Sequence, residues 1–224
     1  MKRIRSVAFC AGALLLLAPT LRAQELAKYR GFSVGMSVAN VLKLSDQKLE
    51  DVKTMHVRPM LLQELTWWPP GTPGHSSQYE GVEQILFDFS NGELYKMSVT
   101  YARSSTEGLT APDMVKSISA KYGPPTSIES EIDPAMSAAY NMKPGPLASW
   151  QDAKSSFDLI RTSFSDHFGL VIYSQQVNAD VELATAESVK LEEEERPEKE
   201  ASAKKKEADD LEVTREKNQK SFHP

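Results

Sequence analysis

The residues that most constrain this chain are Ser90-Asn91-Gly92, which stand between two alternating runs. Before them, Ile85, Phe87 and Phe89 alternate with Leu86 and Asp88. After them, Tyr95, Met97, Val99 and Tyr101 alternate with Lys96, Ser98 and Thr100. Side chains two apart share one face of a strand. Asn and Gly both tolerate the positive φ of a type I′ turn, so the pattern predicts a tight antiparallel hairpin. The apolar face of such a hairpin must be covered by a second layer.

Two helices are predicted to supply that layer. Ser37 is a plausible N-cap, and Val38, Val41 and Leu42 follow at helical spacing, so a short helix runs to about Ser45. Thr110 and Asp113 form a capping box, with Pro112 in the tolerant first turn. Met114, Ile118 and Tyr122 then share one face, Gly123 offers a left-handed stop, and Pro124-Pro125 forbid continuation. Leu61, Leu65 and Trp67 share one parity and predict a strand, and Trp150 marks another short one. Residues 156–164 and 169–174 read as a second hairpin around Ser165-Asp166-His167-Phe168. Each half is thus a short helix, a lone strand and a hairpin. Tandem duplication and a chance likeness within an α+β domain both fit that pattern. The expected fold is α+β: an antiparallel sheet of about six strands with two short helices on one face. The other face is left partly open.

The two ends differ from this middle. Lys2, Arg3 and Arg5 precede an apolar run from Val7 to Ala18, then Pro19 and the small residue Ala23. That is the layout of a secretory signal peptide, and the run is shorter than the roughly 20 residues of a spanning helix. Residues 1–23 are therefore expected to be removed, leaving a periplasmic or secreted chain; the alternative is an uncleaved N-terminal anchor. The sequence holds one cysteine, Cys10, inside that segment, so no disulfide staples the exported part. Of the 26 basic residues, four leave with the signal, against 31 acidic ones, none of which does. That balance speaks against a nucleic-acid partner. Residues 24–178 form the expected domain, large enough to stand on its own core with no cofactor. From residue 179 to 224 charge dominates, in runs such as Glu192–Glu195 and Lys204–Lys206. Glu195/Lys199, Glu200/Lys204 and Glu216/Lys220 support an exposed helix, whereas Pro197 is expected to break it. Leu183, Leu191, Leu211 and Val213 keep no heptad. The expectation is a charged tail, helical or disordered.

Gly35-Met36-Ser37-Val38-Ala39-Asn40-Val41 resembles the helix-opening motif of the small lipoprotein of the outer-membrane β-barrel assembly machinery. Lys121-Tyr122-Gly123-Pro124-Pro125 resembles the end of the helix in that family. In this chain the two motifs fall in different halves, and no lipidation motif is present. Tandem helix-plus-strands units are also the plan of the β-lactamase inhibitor protein type. The resemblance implies an exported scaffold that binds protein.

No catalytic signature stands out. His56, His75, His167 and His223 are not paired at i,i+3 or i,i+4, so no zincin helix is present. There is no nucleophile elbow, no phosphate loop and no dinucleotide fingerprint. Catalytic, cofactor-binding and metal-binding residues are therefore assigned to none. Two carboxylates alone can hydrolyse a glycoside, and Asp88, Glu93, Asp152, Asp158 and Asp166 lie near strand ends. A carboxylate-dependent hydrolase of cell-wall or polysaccharide material is thus the alternative reading. The first reading is a non-enzymatic protein-binding or envelope-assembly module with a protein or peptide partner. Its candidate partner-binding residues are Trp67, Trp68, Pro69, Pro70 and His75 in one stiff loop, with Tyr140 in a second loop from Glu131 to Pro146. Adjacent tryptophans on a strand point to opposite faces, so one is expected in the core and the other in solvent. The second loop is expected to occupy the matching place in the second half and to share one rim with the first. A third reading makes the chain a spacer whose charged tail contacts the envelope.

Overall fold

A computed structural model describes residues 25–70, 78–129, 145–161 and 167–221. Its strands are β1 (Lys28–Tyr29), β2 (Phe32–Ser33), β3 (Lys53–His56), β4 (Leu62–Trp67), β5 (Val82–Ser90), β6 (Glu93–Tyr101), β7 (Ser127–Ile128), β8 (Ala148–Gln151), β9 (Ser155–Arg161) and β10 (Phe168–Ser174). Its helices are α1 (Val38–Ser45), α2 (Arg103–Thr106), α3 (Ala111–Tyr122) and α4 (Gln175–Ser221). The architecture is α+β. β1 and β2 form a small sheet, and the other eight strands form one antiparallel sheet in the order β3-β4-β5-β6-β10-β9-β8-β7. Six strands and two short helices were expected. The extra strands β3 and β7 are short edges whose residues are almost all exposed, so no apolar alternation marks them.

The strand order reads the same way from either edge. Each half supplies a helix, a short edge strand, a longer strand and a hairpin, and the halves meet where β6 pairs with β10 around Ser98 and Val171. Trp67 stands opposite Ile85 in one half, and Trp150 stands opposite Phe157 in the other.

The predicted hairpin is present, with Asn91 at φ 50° and Gly92 at φ 82°. One sheet face carries the core. Leu65, Phe87, Met97, Ile172, Phe157 and Trp150 cross it in one row, and Trp67, Ile85, Val99, Leu170, Leu159 and Ala148 in the next. Both predicted helices lie on this face, through Val41 of α1 and Met114, Ile118 and Tyr122 of α3. Their ends are those expected. Ser37 Oγ accepts the Asn40 N–H, and the Thr110–Asp113 box closes reciprocally. Gly123, at φ 86°, ends α3, and its carbonyl accepts from Trp150 Nε1 at 2.8 Å. The β1–β2 hairpin was not foreseen. It inserts Phe32, 1% exposed, among Trp67, Tyr79 and Phe87.

Close packing in the middle of the sheet leaves β10 no room at Gly169. A Cβ there would lie 2.8 Å from the carbonyl oxygen of Val99 on the neighbouring strand. Gly169→Ala is expected to lose about 1–3 kcal/mol of stability, the usual cost of overpacking. A urea midpoint equal to that of the parent chain would show that the strands separate freely there.

α4 runs unbroken through Pro197, which was expected to break it. Proline removes one N–H from the helix interior, but an i,i+4 pair, Lys199 to Glu195 at 2.9 Å, straddles the position. Val177, Val181, Ala184, Ser188 and Leu191 recur at steps of four and three, and this stripe turns toward the sheet. Val181 packs with Leu62 and Tyr95 on the face opposite the main core. Beyond Glu195 every described residue is exposed, an arm of about 40 Å at the rise of an α-helix. The composition boundary at residue 179 therefore falls inside the first turns of a helix that packs on the sheet.

Candidate functional site

Trp67, Ile85, Val99, Leu170, Leu159 and Ala148 form a single row, so the chain leaves β4, β6, β7 and β9 at the same end of the sheet. Connections positioned by a rigid sheet are the usual place for recognition. Trp67 ends its strand inside the core at 4% exposed, edge-on to Phe32 at 5.6 Å and to Tyr79 at 4.9 Å. Alternation sends Trp68 to the other side, where it is 63% exposed. Pro69 is half-buried and Pro70 exposed. His75 and Tyr140 lie outside the described residues. Where the chain re-enters after Trp68, Arg30 donates to the carbonyl oxygens of Gln78 and Glu80, which fixes the return. Nearby, His167 Nδ1 lies 3.3 Å from Glu83 Oε2.

The stretch from Glu131 to Pro146, most of which lies outside the described residues, is not by strand order the connection that matches the one after Trp68. The matching connection, between β8 and β9, is the tight turn at residues 152–154, where Asp152 accepts from the N–H groups of Lys154 and Ser155. The stretch instead joins β7 to β8, although it attaches at the same end of the sheet as Trp68. Helical spacing and proline content could not reveal this. The match depends on counting β3 and β7, the edge strands without an apolar signature.

The second face of the sheet is largely polar. Lys53, Glu64, Asp88 and Lys96 stand side by side on four strands, and Lys96 Nζ lies 3.2 Å from Asp88 Oδ2. Burial pushes the Asp88 carboxyl above its usual range, against the pull of the Lys96 ammonium. A raised carboxyl pKa means that the folded state holds the proton more tightly. The associated stability is present below the unfolded pKa and is lost as pH rises through the folded value. Asp88→Asn is therefore expected to keep or raise the urea midpoint at pH 7 and to lose that advantage in acid. A clear fall at pH 7 would show that the ion pair outweighs desolvation.

Asp158 is buried on the same face and accepts from Ser156 Oγ at 2.8 Å. Strands β6 and β10 intervene between Asp158 and Asp88, and Asp158 is offset by two residues from the row of Asp88, a separation of more than about 14 Å at ordinary strand spacing. Paired glycosidase carboxylates stand within about 10 Å. Glu93 is exposed at the hairpin, Asp152 caps its turn, and Asp166 lies outside the described residues. Glu64 stands opposite Asp88, and this carboxylate pair has a lysine on each flanking strand. Among the described residues no cluster of three metal-ligating side chains occurs, and no helix is long and apolar enough to cross a membrane.

Near the start of α4 this face becomes apolar. Leu62, Tyr95 and Met60 meet Val177 and Val181 there. Burial, with Asp88 and Glu182 nearby, raises the Tyr95 phenol well above its ordinary value. What the fold defines is an antiparallel α+β scaffold with a loop-bearing end, one open polar face and a docked C-terminal helix. No known protein family, curated protein or solved structure matches this chain.

Proposed function

We propose that the chain is an exported, non-enzymatic protein-binding or envelope-assembly module of two tandem helix-plus-strands units. Its partner, a protein or peptide of the cell envelope, engages the loop-bearing end of the sheet. The observation that carries this reading is Trp68, a large aromatic 63% exposed beside two prolines just past the end of β4. Exposed tryptophan on a stiff support is the kind of anchor that dominates binding energy at interfaces. The signal-like leader supports export to the periplasm or beyond. The resemblance to the assembly-machinery lipoprotein and to the β-lactamase inhibitor type supports a binding role.

The experiment is a crosslinking pull-down from envelope extract with the parent chain and Trp68→Ala, each shown by melting to be folded. The variant is expected to lose the partner at least tenfold. Capture of the same partner in equal amount by folded Trp68→Ala would remove the loop end as the binding surface.

A further inference from the structure

We propose that the docked part of α4, residues 175–195, is a strap that opens and closes over the lower half of the second sheet face while the sheet stays folded. Four observations carry this. The helix buries little apolar surface. Val181 and Ala184 are its buried apolar residues, and they stand apart from the main core on the opposite face. Ser188 faces inward at 2% exposed, yet its Oγ has no hydrogen-bond partner among the described residues. A buried hydroxyl without a partner is penalised when the helix is docked and rehydrated when it lifts. Beside Ser188 lies a groove of about 250 Å³ between helix and strand edge, lined by Met55, His56, Val57 and Leu191, so the joint is loosely filled. Finally, the outer turns are held by charge. Glu195 Oε1 lies 2.8 Å from Arg58, and Glu192 Oε1 lies 3.4 Å from His56 Nδ1, a contact that is ionic only when the imidazole is protonated. The Arg58–Glu195 pair stands at the surface, and such pairs are weak and screened by salt.

The arm beyond Glu195 is exposed throughout and adds no lock. Lifting the strap bares Leu62, Met60 and Tyr95, which extends the accessible face from the Trp68 end toward the hairpin. The strap stands whether or not Trp68 is an anchor, because its test reads the helix rather than a partner.

The test is hydrogen exchange by mass spectrometry on the full chain. Amides of residues 181–195 are expected to exchange at least tenfold faster than those of β6 and β10. Raising NaCl from about 0.05 to 0.5 M should speed the helix several-fold and leave both strands unchanged, since the Debye length falls across that range. Glu192→Gln with Glu195→Gln should do the same at low salt. Ser188→Ala should slow helix exchange several-fold, whereas Ser202→Ala on the exposed arm should not. Equal protection of helix and strands at both salt concentrations would overturn the strap. Equal slowing by the two serine variants would also overturn it, because it would report helix propensity rather than a buried hydroxyl.

Discussion

Trp67→Ala is expected to cost about 3–5 kcal/mol of folding stability, the range for removing a large buried aromatic. Trp68→Ala, one residue away, is expected to change it by no more than about 0.5 kcal/mol. The contrast follows from strand alternation. Trp67 fills the space between Phe32, Tyr79 and Phe87, with ring centroids 5.6, 4.9 and 6.3 Å away. Phe32 is carried in by the β1–β2 hairpin, so a cavity at Trp67 also loosens the segment that closes the core. Trp68 gives up mainly solvent contact. Urea denaturation at constant m-value reads both, and similar midpoints for the two variants would refute the assignment of faces.

Val181→Asp is expected to release α4 without unfolding the sheet. The aspartate would enter an apolar patch between Leu62 and Tyr95, where the nearby Lys96 ammonium is already engaged by Asp88. Burying an unpaired carboxylate is unfavourable by several kcal/mol, more than the few apolar contacts of the helix return. Undocking therefore wins. A stretch of helix that no longer buries its apolar stripe is marginal in water, because packing supplies most helical stability. The stretch 175–195 that loses the sheet is 21 of the 71 residues in α1 to α4, so the 222 nm signal should fall by up to about a third. The urea midpoint of the sheet should fall far less than in Trp67→Ala. A truncation after Glu195 is the control. It removes the exposed arm, lowers helicity and leaves the midpoint in place. An unchanged spectrum for Val181→Asp would mean that the helix does not depend on its contact with the sheet.

Legibility in the sequence followed the local signals. The Asn91-Gly92 hairpin, the Ser37 cap and the Thr110–Asp113 box each bring their own backbone instructions, and each appears where expected. The tryptophan pair was legible as one buried and one exposed residue, though not which was which. Strands β3 and β7 were not legible, because an exposed edge has no reason to alternate. The docked stripe of α4 was masked by charge. Of Leu183, Leu191, Leu211 and Val213, only Leu191 joins the stripe and the other three are exposed, while the residues that pack include Ala184 and Ser188. A small contact can use small side chains, so hydropathy alone does not mark it.

By itself the sequence determined the α+β class, the antiparallel pairing, and the caps of α1 and α3. These depend on interactions between residues close in the chain. The tertiary structure alone decided that the halves meet through β6 and β10, that α4 belongs in part to the sheet, and that Trp68 stands at the end where four connections leave. Those outcomes rest on pairing and burial between residues far apart in sequence, where no local pattern chooses the partner.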